Sequence, residues 1–372
     1  MPRTPALALA LAAAALALAL APAEARAEGS PFVDPLDGAF DVDRWLASRH
    51  GFVPIVAPIT EPAVGYGAAA GALFLHGRLG EEVPEGERRV PPSLSAAVGM
   101  YTSNGSWGAA AAHLGHWRNG DLRYLGAAAY ASLELSAYVA ADTRVRFRIE
   151  AVPVVQELTA RVGDTDLSLG GRYTFIGSRL HPGNADDAAS IPGRDLRTIL
   201  SGLGGVLRWD SRDGIFSPSR GVRVEAVATW YAPWLGSDRD GWRAQISEVS
   251  YAALAPWLVG AVRLDLQLSG GDLPFWFRPY VALRGIPALR YQGRHVFVAE
   301  TEERIDLTPR WSAVAFGGAG VAAAAAQPTL AFSGGGGFRY LLARQFNVRA
   351  GLDVARGPED WAVYLIFGNA WR

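Results

Sequence analysis

A hydrolase built on this sequence would need a serine or an aspartate beside one of its six histidines, His50, His76, His113, His116, His181 and His295. His113 and His116 differ in parity, so they face opposite sides of a regular strand, while His76 and His181 stand near strand ends. The spacing sets no serine or aspartate beside any of them, and a catalytic constellation is not expected. There is no cysteine, which excludes disulfides, thiolate metal sites and cysteine nucleophiles. The run Gly334 to Gly337 lacks a following Lys-Ser/Thr, so it does not read as a phosphate loop. No metal site and no cofactor is expected.

The chemistry that remains is charge distributed by parity. Over 295–307, Val298, Glu300, Glu302, Arg304 and Asp306 share one face, and Phe297, Ala299, Ile305 and Leu307 share the other. Four charges on one face suit a wet interior, because a lipid-facing arginine at mid-membrane costs ~2–4 kcal/mol. Glu303 falls on the wrong face and is tolerable only near a rim. Near the carboxyl end, Phe346, Val348, Ala350, Leu352 and Val354 point outward, which turns Arg349 and Asp353 inward. In the last strand Trp361, Val363, Leu365, Phe367 and Trp371 form the lipid face, with Trp361 and Trp371 as girdle aromatics at the two rims.

The elements that must position these groups are short and alternating. The exception is Ala6 to Ala21, an unbroken apolar run between Arg3 and the small-x-small site Ala25-Arg-Ala27, which reads as a secretory signal peptide over 1–27. Residues 28–62 read as a Pro-rich periplasmic lead-in with a short helix near 41–49. From 63 to 372 we expect an all-β, 16-stranded antiparallel transmembrane barrel, the one way for a chain of alternating strands to span a membrane. The first strand is expected at 63–78, separate strands at 143–150 and 152–162, and the last at 360–371. The longest links then follow odd strands, at 79–91, 180–195, 233–241, 271–294 and 321–328, and both termini lie on the periplasmic side. Every basic residue is arginine, and residues 28–372 hold 33 basic against 35 acidic groups, which offers no basic field for nucleic acid.

Three segments carry a resemblance. Trp209 to Gly221, with Asp210, Arg212, Asp213, Phe216, Pro218 and Gly221, resembles the Asp-x-Arg-Asp…Phe-x-Pro-x-x-Gly turn between strands 8 and 9 of the BamA/TamA-like bacterial surface antigen superfamily of outer-membrane assembly barrels. Leu283-Arg-Gly-Ile286 is similar to that family's Val-Arg-Gly-Phe/Tyr loop motif, and Gly334 to Tyr340 with Val348 to Val354 is similar to its final strands. The resemblance covers about 63–372. It implies that the longest loop folds into the barrel, with Arg284 as the loop cation, Gly285 at a close approach, and Glu302 and Asp353 as acidic partners on the wall. The chain departs from the family in having Ile286 for the aromatic, in ending at Arg372, and in lacking the periplasmic substrate-binding repeats.

In that family the seam between first and last strands is the proposed exit to lipid. Here the seam is expected to be labile, formed by Gly65, Gly67 and Gly71 against Phe367, Gly368 and Trp371, because glycine weakens strands. The resemblance implies a non-enzymatic barrel in the bacterial outer membrane that eases insertion or passage of protein or lipid. Its partners would be outer-membrane lipids, unfolded outer-membrane or secreted clients, and a separate periplasmic protein in place of the repeats. A passive pore, and an outer-membrane lipase or protease, are the alternatives.

Overall fold

Period-two alternation folds most of the chain into one sixteen-stranded antiparallel sheet in which every strand pairs with its sequence neighbours. The computed structural model describes residues 30–48, 51–77, 90, 92–140, 143–323 and 328–371. The expected signal peptide over 1–27, Arg49, His50 and Arg372 lie outside them. The first eight strands are β1 (Gly51–Ile59), β2 (Gly67–Leu75), β3 (Leu94–Thr102), β4 (Trp107–Trp117), β5 (Leu122–Ala140), β6 (Thr143–Arg161), β7 (Leu167–Pro182) and β8 (Arg197–Asp210). The rest are β9 (Gly221–Tyr231), β10 (Gly241–Ala255), β11 (Leu258–Gly271), β12 (His295–Asp306), β13 (Trp311–Ala323), β14 (Pro328–Ala343), β15 (Val348–Arg356) and β16 (Trp361–Phe367). The sheet curls into a nearly closed barrel whose order runs from β1 to β16 with no ladder joining those two among the described residues.

The expected number of strands is correct, but two of the expected strands are not. A strand precedes residue 63: Gly51 to Ile59 pairs in unbroken register with Leu75 to Gly67. Its Pro54 and Pro58 read as loop chemistry in the sequence, yet proline is allowed on an edge strand whose missing N–H faces away from the neighbour. Conversely, 143–150 and 152–162 are one strand, β6. It runs through Pro153 while its ladder to β5 lapses there, passing from Ala128↔Val154 to Ala131↔Ala151. The two differences cancel in the count and put the connection from β2 to β3 at the end of the barrel where β1 begins and β16 stops, the expected link at 79–91 itself lying almost wholly outside the described residues.

Side chains sort by face as parity requires. Phe52, Phe74, Tyr101, Trp107 and Trp117 stand exposed on the outside of the first strands, and Val354, Trp361 and Phe367 on the outside of the last. Glu157, Arg208, Asp265, Glu300, Arg339 and Asp353 are buried inside. Among the described residues no helix is long and apolar enough to cross a membrane. The described helices are α1 (Asp43–Ser48), which begins two residues inside the expected 41–49, and α2 (Ala185–Ser190) in the β7–β8 link.

The lead-in is tied to the barrel end by two arginines, Arg310 and Arg344, the second pairing with Asp34 at 2.8 Å and with Asp37. Arg310, in the β12–β13 turn, donates to Asp37 Oδ2 at 2.7 Å, to Asp41 Oδ2 at 2.6 Å, and to Asp34. Backbone bonds complete the dock, from Val42 N–H to the Leu342 carbonyl at 2.9 Å and from Gln345 N–H to Asp43 Oδ2 at 2.6 Å. The hydrogen bond from Arg310 holds the Asp37 carboxyl down at about 2, against an ordinary 3.8. Burial alone would lower the Arg310 guanidinium, but its bonds to Asp37 and Asp41 outweigh that and raise it. A depressed carboxyl stabilises the dock above its unfolded value and loses that contribution as pH falls through the folded one. We therefore expect hydrogen exchange of the Val42 amide, corrected for intrinsic rate, to accelerate between about pH 4 and pH 2. In Arg310→Ala it should already be fast at pH 7, and a slow amide in that variant would show that the clasp does not hold the segment.

Candidate functional site

The long link between β11 and β12, residues 272–294, folds into the barrel, and the wall is shaped to receive it. Val281, Leu283 and Ile286 of the loop are buried against the inward-facing Val296 and Val298 of β12, Ala322 of β13 and Ala331 of β14. Room for the loop comes from β13. A Cβ at Gly320 would lie 2.3 Å from Val281 Cγ1, and one at Gly318 would lie 2.8 Å from Leu283 Cδ2. The run Gly334 to Gly337 serves other neighbours, since a Cβ at Gly335 would meet the Phe316 ring and one at Gly337 the Asp353 carboxylate.

Hydrophobic docking sets Arg284 among three carboxylates. Its Nε donates to Glu300 Oε1 at 2.8 Å, and its Nη1 to Glu302 Oε2 at 2.6 Å and to Asp353 Oδ2 at 2.8 Å. The guanidinium lies 3.5 Å from the centre of the Phe316 ring, a cation–π contact. Arg339 also holds Asp353, through Nη2 at 3.0 Å. Both expected partners of Arg284 are present. Glu300, with a fully buried side chain, is the third, and its shared parity with Glu302 was the signal that could have found it. Gly285 makes the expected close approach at φ +87°, where an added Cβ would lie 2.9 Å from the Gly357 nitrogen. Its N–H donates to the Tyr364 hydroxyl of β16 at 2.8 Å, which ties the motif to the last strand.

The β8–β9 turn also reaches the last strands, although β8 and β16 are half a barrel apart in strand order. Arg212 forks onto Asp210 with two bonds of 2.8 Å, and Asp213 Oδ1 accepts the Ser219 N–H at 2.9 Å. Gly221 closes the turn at φ +101°, where a Cβ would lie 2.4 Å from the Ser211 carbonyl oxygen. The turn segment holding Phe216 and Pro218 is thereby projected across the mouth. Asn347 donates to the Ser217 carbonyl at 2.7 Å, and Asn369 to the Ile215 carbonyl at 3.2 Å.

Gly368 is where β16 ends. At φ +76° it turns the chain inward beneath Phe216, whose carbonyl oxygen would lie 2.8 Å from an added Cβ. Trp371 is consequently not a lipid-facing girdle residue. It is 5% exposed inside the barrel and donates from Nε1 to Glu300 Oε2 at 2.8 Å. The parity rule placed it outside because the rule assumes an extended strand through residue 371, and β16 stops at Phe367. Phe367 and Trp361 do face outward.

Phe367 lies in the edge strand β16 as expected, but on the other side the seam is on different residues from those expected. Gly65 lies in the β1–β2 turn at φ +81°, and Gly67 and Gly71 lie in β2, paired to β1 on one side and β3 on the other. Added Cβ atoms there would meet the Tyr101 and Ala97 carbonyl oxygens, each at 2.1 Å, so these glycines allow β2 and β3 to approach. The unpaired edges are β1 and the seven-residue β16. Within β1, Phe52, Pro54, Val56 and Pro58 point their amide groups to the open side, and two of the four have no N–H to offer. Proline thus removes two of the donors that this edge could offer to β16.

One arrangement was missed. Ser95 Oγ lies 2.9 Å from His76 Nε2 and 2.9 Å from His113 Nδ1, on the outward face. Their strands are adjacent, but the facing of a link-end histidine was not legible from spacing. Neither imidazole meets a carboxylate among the described residues. Three polar groups satisfying one another on an outward face explain the contact. No cluster of metal-ligating side chains occurs among the described residues.

The sequence matches no family profile and no curated protein. Among solved structures, the chain is similar to BamA from Haemophilus ducreyi lacking POTRA domains 1-3, with a TM-score of 0.60 and 12% identity, over 86% of this chain and 70% of that one. It is similar to CdiB from Escherichia coli, with a TM-score of 0.60 and 12% identity, over 85% of this chain and 61% of that one. CdiB from Acinetobacter baumannii gives 0.56 and 11%, over 85% and 59%. This chain therefore spans about three fifths of the CdiB chains. At these identities the likeness is one of fold, and the fold is that of the BamA and CdiB outer-membrane barrels.

Proposed function

We propose that this protein is a non-enzymatic outer-membrane barrel of the BamA/TamA-like kind, which eases insertion or passage of protein or lipid by parting β1 from β16. The observation that carries the reading is the open seam, with two prolines on one edge and, on the other, a strand that stops at Phe367 before the turn at Gly368. The Arg284 loop, the β8–β9 turn and the inward tail all bear on the last strands, so movement at that edge is coupled to the lumen. Lipids are its immediate partners, and unfolded outer-membrane or secreted proteins the clients that fit such an exit. The docked segment 30–48 lies where a separate periplasmic protein would bind.

A passive pore shares the barrel but needs neither an open seam nor a loop in the lumen. The test is to lock β1 to β16 with engineered cysteines. Loss of cellular function on oxidation supports lateral opening, and full function in the crosslinked protein points to the lumen.

A further inference from the structure

The charged lumen has two walls of different balance. From β11 to β15, with the loop, five arginines face five carboxylates in two sets, Arg263, Arg284 and Arg339 with Asp265, Glu300, Glu302 and Asp353, and Arg304 and Arg349 with Asp306. From β5 to β10, the inward charges are Arg123, Arg172, Arg208, Arg223 and Arg243 against Glu157 and Glu225 alone, once the rim pairs Arg161–Asp121 and Arg212–Asp210 are set aside. Both glutamates are committed. Glu157 takes Arg172 and Arg208, and Glu225 takes Arg208 and Arg223. Arg243 meets no carboxylate among the described residues. It donates to Gln267 Oε1 at 2.9 Å and to the Phe277 carbonyl at 3.4 Å, with its guanidinium 5.2 Å from the Phe277 ring centre.

Arg243 borders a cavity of about 290 Å³ that Arg172, Thr174, Tyr231 and Glu225 also line, and the Glu225 carboxylate is held by Arg208 and Arg223. An excess of buried cations is costly unless an anion joins them, and the planar guanidinium fork matches phosphate oxygens in particular. We propose that this cavity binds a phosphate group, as inorganic phosphate or as a phosphate ester, between Arg243 and Arg172, with the Thr174 hydroxyl as a further donor. The site shares no charged residue with the Arg284 cluster, although Phe277 of the same loop lines it, and it does not depend on whether the seam opens.

The experiment is calorimetric titration of the detergent-solubilised full chain with inorganic phosphate at low ionic strength. Saturable binding is expected, weakened at least tenfold in Arg243→Gln and in Arg172→Gln. It should be unchanged in Arg290→Gln, whose guanidinium lies over Tyr138 and pairs with Glu359. Heat-modifiable gel mobility checks that each variant is folded. Displacement by glycerol phosphate alone assigns the site to soluble esters, and displacement by a short-chain phosphatidic acid extends it to lipid headgroups. Equal binding by wild type and both cavity variants would overturn the proposal, as would competition by chloride as strong as that by phosphate.

Discussion

Replacing Arg284 with alanine is expected to destabilise the barrel by on the order of 3–5 kcal/mol, the range for stripping one partner from a buried ionic cluster. Glu300, Glu302 and Asp353 all bond this guanidinium, and the side chains of Glu300 and Asp353 have no exposure to water. Without it, Arg263 and Arg339 are left to balance four carboxylates, Asp265 included. The Gly285 contact to Tyr364 would loosen as well, so the damage should spread to β16. Denaturant unfolding in lipid vesicles, followed by seminative gel mobility, measures the effect. Lysine at this position should recover only part of it, because an ammonium cannot fork between carboxylates. A shift below about 1 kcal/mol in Arg284→Ala would show the loop to be held by its apolar contacts alone.

The second large effect is at the seam. The chain has no cysteine, so a disulfide between one position in Gly51–Ile59 and one in Trp361–Phe367 is the only one that can form. Oxidation of a pair that crosslinks efficiently should abolish complementation of a strain lacking the protein, and reduction should restore it. A matched pair joining β13 to β14, which are already laddered along their length, should have no effect when oxidised. Equal activity of the oxidised seam pair and the oxidised control would remove lateral opening from the account.

How far the sequence spoke for these features depends on the range of the interaction behind each. Parity is local, so the inward set Glu300, Glu302, Arg304 and Asp306, and the inward Arg349 and Asp353, were legible from alternation. The placement of Arg284 needed the loop motif as well, since nothing local shows that a 23-residue link folds inward. β1 was illegible because proline argues against a strand unless the strand is known to be an edge, and edges are a property of the whole sheet. Trp371 was misplaced for a similar reason. Its inward turn depends on Gly368 at positive φ beneath Phe216, a contact across 152 positions of sequence. The clasp of Asp34, Asp37 and Asp41 could not be read from their spacing, because Arg310 lies some 270 residues away.

The most direct test of the central claim is site-resolved hydrogen exchange across the barrel. An open seam predicts that the Val56 amide, facing the unpaired edge, and the outward-edge amides of β16 exchange orders of magnitude faster than those of β2 and β15, which are paired on both sides. Protection of the β1 and β16 edge amides equal to that of β2 and β15 would mean that the first and last strands are laddered, and would contradict it.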